Sequence, residues 1–271
     1  MINALCIDAD DFYTCLNELN YSLSEKKYLI DKEMEDVLET LDILRVKSSF
    51  FIPGHFFKKS KHLLKRIIES GHHICSHGNY HSRLDQLNKK NMLIDLKISK
   101  NSLEDFIGLE VDTYKAPAWS VTKQTELCLD SIAEAGFKFD HSCSPSALEN
   151  IKQYYDIDKY LYKNSLKIIP PTSINILGFQ SLFCGGFYNA HVPFFITKYF
   201  YQSLNKKRKP FNFFFHPYEF SPNELNKKIY KYKNLKASLY GLHLGKYNNF
   251  FRKLNKSFLF GTLKSAYNFI Y

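Results

Sequence analysis

The chain holds one tryptophan in 271 residues and no pair of cysteines at CxxC spacing. Its six cysteines, at positions 6, 15, 75, 128, 143 and 184, are scattered. That pattern argues against a disulfide framework and reads as reduced, mostly buried thiols. No apolar run approaches the ~20 residues that a bilayer-spanning helix needs. The first residues, Met1 to Asp8, carry no basic segment and no cleavage signal. They are expected to form the first strand of a protein that stays in the cytoplasm, reaching at most the inner face of the membrane. There is no internal repeat, no low-complexity linker and no nucleic-acid motif.

Acidic residues are scarce in one region only. Residues 201–271 hold 14 Lys and Arg against 2 Asp and Glu, whereas residues 1–200 hold 23 against 25. The body is near neutral and the C-terminal part is strongly basic. That part is also rich in Tyr and Phe, as in Tyr230-Lys231-Tyr232-Lys233. A solvated lysine-rich tail explains the charge at its plainest. Contact with an anionic membrane or with glycan phosphate is the functional alternative, and nucleic acid ranks last. The 45% hydrophobic content is ample for a buried core.

Short apolar runs alternate with helical periodicity. Strands are expected at 3–8, 47–52, 72–75, 111–116 and 137–140, and helices at 31–46, 58–70, 88–107 and 122–135. Gly71, Gly108 and Gly136 follow three of these helices, as C-terminal caps do. Such alternation predicts a parallel sheet or barrel with helices outside. Further buried strands are expected at 167–171 and 211–216. The residues with chemistry in them fall just after strands: Asp8 to Asp11, His77, Lys115 to Trp119, Asp140 and His216. Active sites of barrels gather at that edge. The pair His77 and His81, joined with an upstream carboxylate, makes a three-ligand metal site with positions left open for water. An HxxxH pair alone is weak, because many solvated helices carry one.

Taken together, five segments resemble the polysaccharide deacetylase family, also called NodB-homology or carbohydrate esterase family 4. They are Ile7-Asp8-Ala9-Asp10-Asp11-Phe12-Tyr13, Gly71 to His81, Lys115-Ala116-Pro117-Ala118-Trp119-Ser120, Asp140-His141-Ser142 and Phe215-His216-Pro217-Tyr218-Glu219. Cys184 to Tyr188 is similar to a GGGYF segment of the branch associated with bacterial exopolysaccharide loci. The resemblance implies a catalytic domain over residues 1–220 with a distorted (β/α)7 barrel, followed by a basic, aromatic extension over 221–271. It also implies a metal-dependent N-deacetylase acting on an amino sugar in surface-glycan synthesis. Without an export signal, a nucleotide- or lipid-linked sugar fits better than mature polymer.

Residues two apart on a strand share a face. Asp8 is therefore assigned as general base and Asp10 as metal ligand, with Asp11 the alternate ligand. His77 and His81 complete the set, and His216 is the general acid. Zn²⁺ leads as the ion, with Co²⁺, Ni²⁺ and Mn²⁺ as alternatives. Trp119, Tyr13 and Tyr80 are candidates for the sugar cleft, Trp119 having plain core as its alternative. Lys115 stands where the family usually has the arginine that braces the base, and loses its planar fork. His141 replaces a serine, while Asp140 is retained to orient the histidine of the fifth segment or the loop network. These departures motivate a different reading, a non-catalytic glycan-binding protein on the same fold. A small-amide hydrolase with the same metal site is the third.

Overall fold

A computed structural model describes residues 1–10, 30–122, 124–151, 155–156, 161–162, 166–186, 189, 191–220 and 245–267. In chain order the elements that matter are β1 (Ile2–Asp8), α1 (Ile30–Leu44), β2 (Ser49–Ile52), α2 (Gly54–Lys59), α3 (Lys61–Glu69), β3 (His73–Ser76) and α4 (Lys89–Ile107). They continue with β4 (Thr113–Tyr114), α5 (Thr125–Glu134), β5 (Phe139–Asp140), α6 (Pro145–Asn150), β6 (Tyr155–Asp156), β7 (Leu161–Tyr162) and β8 (Leu166–Ile168). The last are β9 (Ser173–Ile176), β10 (Phe179–Leu182), α7 (Phe194–Lys206), β11 (Asn212–Phe215), α8 (Pro217–Phe220), α9 (Tyr247–Asn255), β12 (Leu259–Gly261) and α10 (Leu263–Tyr267). The chain divides into two compact units. One comprises residues 1–49, 69–73 and 184–271, and the other 50–68 and 74–183.

In the first unit β1 is the centre. It runs parallel to β11, with Ala4 opposite Asn212 and Ile7 opposite Phe215. It is also parallel to β12, with Ile2 opposite Leu259 and Ala4 opposite Gly261. Six of its seven residues are buried, so the strand reads as an apolar run rather than an alternation. Helix α1 lays Met34, Val37, Leu38 and Leu41 into the core, the face that the 3.6-residue spacing predicts. Behind β11 the aromatic density is high. Tyr201 stacks on Phe211 at 3.9 Å between ring centres, and Phe258 meets Phe211 edge-on at 5.1 Å.

In the second unit β4 pairs in parallel with both β3 and β5, and β5 pairs in parallel with β8. Antiparallel β7 and β6 extend that edge, and β9 and β10 form a separate hairpin. The expected strand at 111–116 shrinks to two residues, because Pro117 ends it in a turn of 3-10 helix. The helix expected at 58–70 is two helices. Ser60 leaves the helical region at ψ 44°, and its amide bonds back to Phe56. Helix α4 has the caps its sequence announces: Asn88 accepts from the Asn91 amide, and Gly108 closes it at φ 69°. Cys6, Cys75, Cys128, Cys143 and Cys184 are buried thiols outside any disulfide. Among the described residues, no helix is long and apolar enough to cross a membrane.

Candidate active site

β1 delivers Asp8 at its last residue and Asp10 just beyond, both buried. The parallel register places Ile7 opposite Phe215, so His216, the next residue, emerges beside the two carboxylates. Its Nε2 lies 3.9 Å from an oxygen of Asp8 and 3.9 Å from an oxygen of Asp10. The other ring nitrogen, Nδ1, meets Glu219 Oε2 at 3.2 Å, and the same oxygen accepts the His216 backbone N–H at 2.7 Å. Tyr218 stacks on the imidazole at 4.9 Å, and Phe214 meets it edge-on. Burial alone would lower the pKa of His216. The hydrogen bond to Glu219, with the charges of Glu219, Asp8 and Asp10, outweighs burial and raises it. Asp11 and Tyr13 lie outside the described residues.

β3 delivers His77, which is buried. Its amide donates to the Ile52 carbonyl at 3.1 Å, and its Nδ1 meets the Lys115 carbonyl at 2.7 Å. A backbone carbonyl can only accept, so Nδ1 carries the proton and Nε2 is left as the donor atom for a metal. The loop from His77 to His81 is held from α4. Buried Asp95 accepts the amides of Asn79 at 3.1 Å and Tyr80 at 2.8 Å. Gly78 turns at φ 78°, where a Cβ would meet Asp95 Oδ2 at 2.8 Å. The loop ends at His81, a non-glycine residue at φ 54° whose ring is 5.0 Å from that of His77. Tyr80 is exposed. His72 is buried, and its Nδ1 accepts from the Ser48 amide at 3.2 Å.

A brace runs through the third and fourth segments. Asp140 accepts from the Ser142 hydroxyl and amide, and from the Cys143 thiol. Ser142 Oγ in turn accepts the Ala116 amide at 2.7 Å, next to the Lys115 carbonyl that holds His77. Burial pushes Asp140 up to about 7, against the pull of those hydrogen bonds. Lys115 is buried with its ammonium 4.4 Å over the Trp119 ring, a cation–π contact. Trp119 is itself buried, and His141 packs edge-on against it at 4.7 Å. Ala118 and Trp119 both sit at positive φ, 53° and 52°. Backbone of that kind persists only where its surroundings over-determine it.

Asp10 in the first unit, and His77 and His81 in the second, are the residues that could hold a metal ion, each offering one ligand atom. One carboxylate and two imidazoles match the donor preference of Zn²⁺-class ions, and three protein ligands leave coordination open for water. Two contributors carried no mark in the sequence reading. Asp95 could have been found: in α4 it shares the stripe of Met92, Leu96, Ser99 and Leu103, and an acid on an apolar face is a signal. Glu219 stood inside the fifth segment without a role.

Residues 28–139 match the polysaccharide deacetylase family, and residues 142–268 match a domain of unknown function (DUF3473). Over residues 28–139 the chain is thus similar to the polysaccharide deacetylases, and its α/β fold with a parallel sheet is of the NodB-homology type. It is 28% identical over 95 residues to a peptidoglycan deacetylase of Helicobacter pylori, covering 35% of this chain and 31% of the relative. It is 27% identical over 90 residues to the uncharacterized protein YlxY of Bacillus subtilis, covering 33% and 28%. The matches thus span about a third of the length of these curated relatives. Among solved structures, a protein from Mycobacterium smegmatis assigned to the polysaccharide deacetylases superposes with a TM-score of 0.58 at 16% identity, covering 97% of this chain and 87% of that one. A peptidoglycan N-acetylglucosamine deacetylase superposes with a TM-score of 0.50 at 14% identity, covering 97% and 86%. At these identities the superpositions speak for the fold alone.

Proposed function

We propose that the protein is a metal-dependent N-deacetylase that removes an acetyl group from an amino sugar. The observation that carries this reading is the donor set of Asp10, His77 and His81, with His216 Nε2 3.9 Å from both Asp8 and Asp10. A divalent ion held there, Zn²⁺ in the first place, supplies a Lewis acid for the amide carbonyl and an acidified water. Asp8 takes the proton of the attacking water. His216 gives a proton from Nε2 to the leaving nitrogen as the C–N bond breaks, and the products are acetate and a free amine. Asp140, through Ser142, holds the backbone that fixes the tautomer of His77. Lys115 and Trp119 form the wall behind it, and exposed Tyr80 is the aromatic residue free to meet a sugar ring.

For the substrate, the family context supports an acetylated glycan. We read it as an N-acetylated amino sugar carried on a nucleotide or a lipid during surface-glycan synthesis. The test is metal analysis together with acetate release from N-acetylglucosamine oligomers and from a nucleotide-linked N-acetylhexosamine. Wild type is expected to bind a single ion per chain and release acetate, and His77→Ala and His81→Ala to lose both. The mechanism fails if those variants lose the metal and keep the activity. It also fails if Zn²⁺, Co²⁺, Ni²⁺ and Mn²⁺ all leave the wild type inactive on every N-acetylated sugar.

A further inference from the structure

Helix α7 wears its aromatics on the outside. Its buried residues are Thr197 and Tyr201, whereas Phe195 is 71% exposed and Tyr199 74%. Ile196 is exposed as well. At 100° per residue, Phe195, Tyr199, Gln202 and Lys206 fall on one stripe, and all four are exposed. The stripe runs directly into Lys206-Lys207-Arg208-Lys209, every residue of which is exposed. Residues 194–209 hold five Lys or Arg and no Asp or Glu. Helix α9 continues the pattern: Phe194 meets Phe250 at 5.6 Å, and the Lys253 ammonium lies 5.9 Å over the Phe194 ring. Residues 245–267 again hold five basic residues and no acid.

We propose that the outer face of α7, with the basic run that follows it, is a docking surface for an anionic lipid bilayer. The lack of any acid fixes the sign of the partner. The side chains between the charges decide its class. A hydrated polyanion such as a nucleic acid or an acidic glycan needs only the lysines. It leaves Ile196, which has no stacking face, in water. A membrane interface takes both sets at once, with Phe195, Ile196 and Tyr199 entering the acyl boundary and the cations meeting the headgroups. Apolar exposure of this kind on a surface helix marks an interaction site more often than an accident of folding. None of these residues belongs to the set Asp8, Asp10, His77, His81 and His216, so the inference does not rest on the reaction.

The experiment is co-sedimentation of the full chain with phosphatidylcholine vesicles, with and without phosphatidylglycerol. Acetate release from a soluble sugar serves as a control that the variants are folded, with thermal melting in support. Wild type is expected to bind only the anionic vesicles, and less as salt is raised. Lys206→Glu/Lys207→Glu/Arg208→Glu/Lys209→Glu removes four cations, each worth roughly fivefold near an anionic surface, and should lower partitioning by about 10²-fold or more. Phe195→Ser/Tyr199→Ser should lower it at least tenfold while melting as wild type does. Equal binding to neutral vesicles overturns the proposal. So does unchanged binding of the Phe195→Ser/Tyr199→Ser variant, which reduces the effect to unspecific attraction by charge. Tighter binding to a single-stranded oligonucleotide or an acidic oligosaccharide than to the vesicles overturns it in favour of that class.

Discussion

Glu219 holds His216 twice with one oxygen, accepting both its backbone N–H and its Nδ1. That double hold fixes the ring's rotation and leaves Nε2 facing Asp8 and Asp10. Asp140, the residue that family resemblance offers for orienting this histidine, instead accepts hydrogen bonds from Ser142 and Cys143.

Glu219→Gln keeps the shape of the side chain and removes its charge. If His216 must be protonated to act, activity falls as pH rises through its pKa. Loss of Glu219 takes away an upward push, so the basic limb of the kcat profile should move to lower pH. We expect kcat to drop at least tenfold, with KM and metal content unchanged. In a His216→Ala background the same change should add nothing, because Glu219 acts through His216. A further loss in the double variant would show that Glu219 works elsewhere.

Asp95 tethers the loop between the two histidines. Asparagine offers one acceptor where aspartate offers two, so Asp95→Asn orphans the amide of Asn79 or Tyr80. The cost should be about 1–3 kcal/mol in denaturant unfolding. Metal affinity should fall about 10–100-fold, since a positioning partner of the ligands is lost. Titration with a competing chelator reads the second effect.

His72 makes stability depend on pH. Burial first, and the nearby charge of Lys47 second, lower its pKa to about 4 from 6.5. The folded state keeps the ring neutral where the unfolded state protonates it. Its contribution is therefore complete above pH 6.5 and is lost as pH falls from 6.5 toward 4, roughly 3 kcal/mol over that window. His72→Asn keeps an acceptor for the Ser48 amide. The difference in unfolding free energy between wild type and variant should change by about that amount across the window, and a pH-independent difference would refute the assignment.

Gly185 packs closely against the backbone of β11. It bridges Phe214 at φ 114°, where any Cβ would run into the Phe214 carbonyl. Gly185→Ala should destabilise the protein by about 3 kcal/mol or more. It should also cost activity through a displaced His216, two residues along from Phe214. A melting curve like that of wild type would contradict the contact.

The sequence reading recovered the order of strands and helices because each element has a period and a stop. Met34, Val37, Leu38 and Leu41 mark α1, and Pro53 and Gly108 mark ends. It could name Asp8, Asp10, His77, His81 and His216 as candidates because motifs are local strings. What it lost is what only the third dimension decides. Nothing local says that the Asp140 carboxylate braces Ala116 through Ser142, or that Lys115 spends its charge on the face of Trp119. The region after His216 looked nearly featureless, since β12 is three residues long and is a strand only because β1 accepts it. Short segments of that kind are made by their neighbours rather than by their own propensity.

The pairing of β1 with β11 and β12 sets a timetable for synthesis. Ala4 leaves the ribosome long before its partners Asn212 and Gly261, which lie more than two hundred residues further along. Such distant pairings form slowly, after a long loop has closed. Until then the apolar strand that carries Asp8 waits without these two neighbours, exposed to aggregation. A chain stalled or clipped before residue 212 would contain Asp8, Asp10, His77 and His81 and no His216. His216 and the first of these partners of β1 arrive together, some two hundred residues after Asp8.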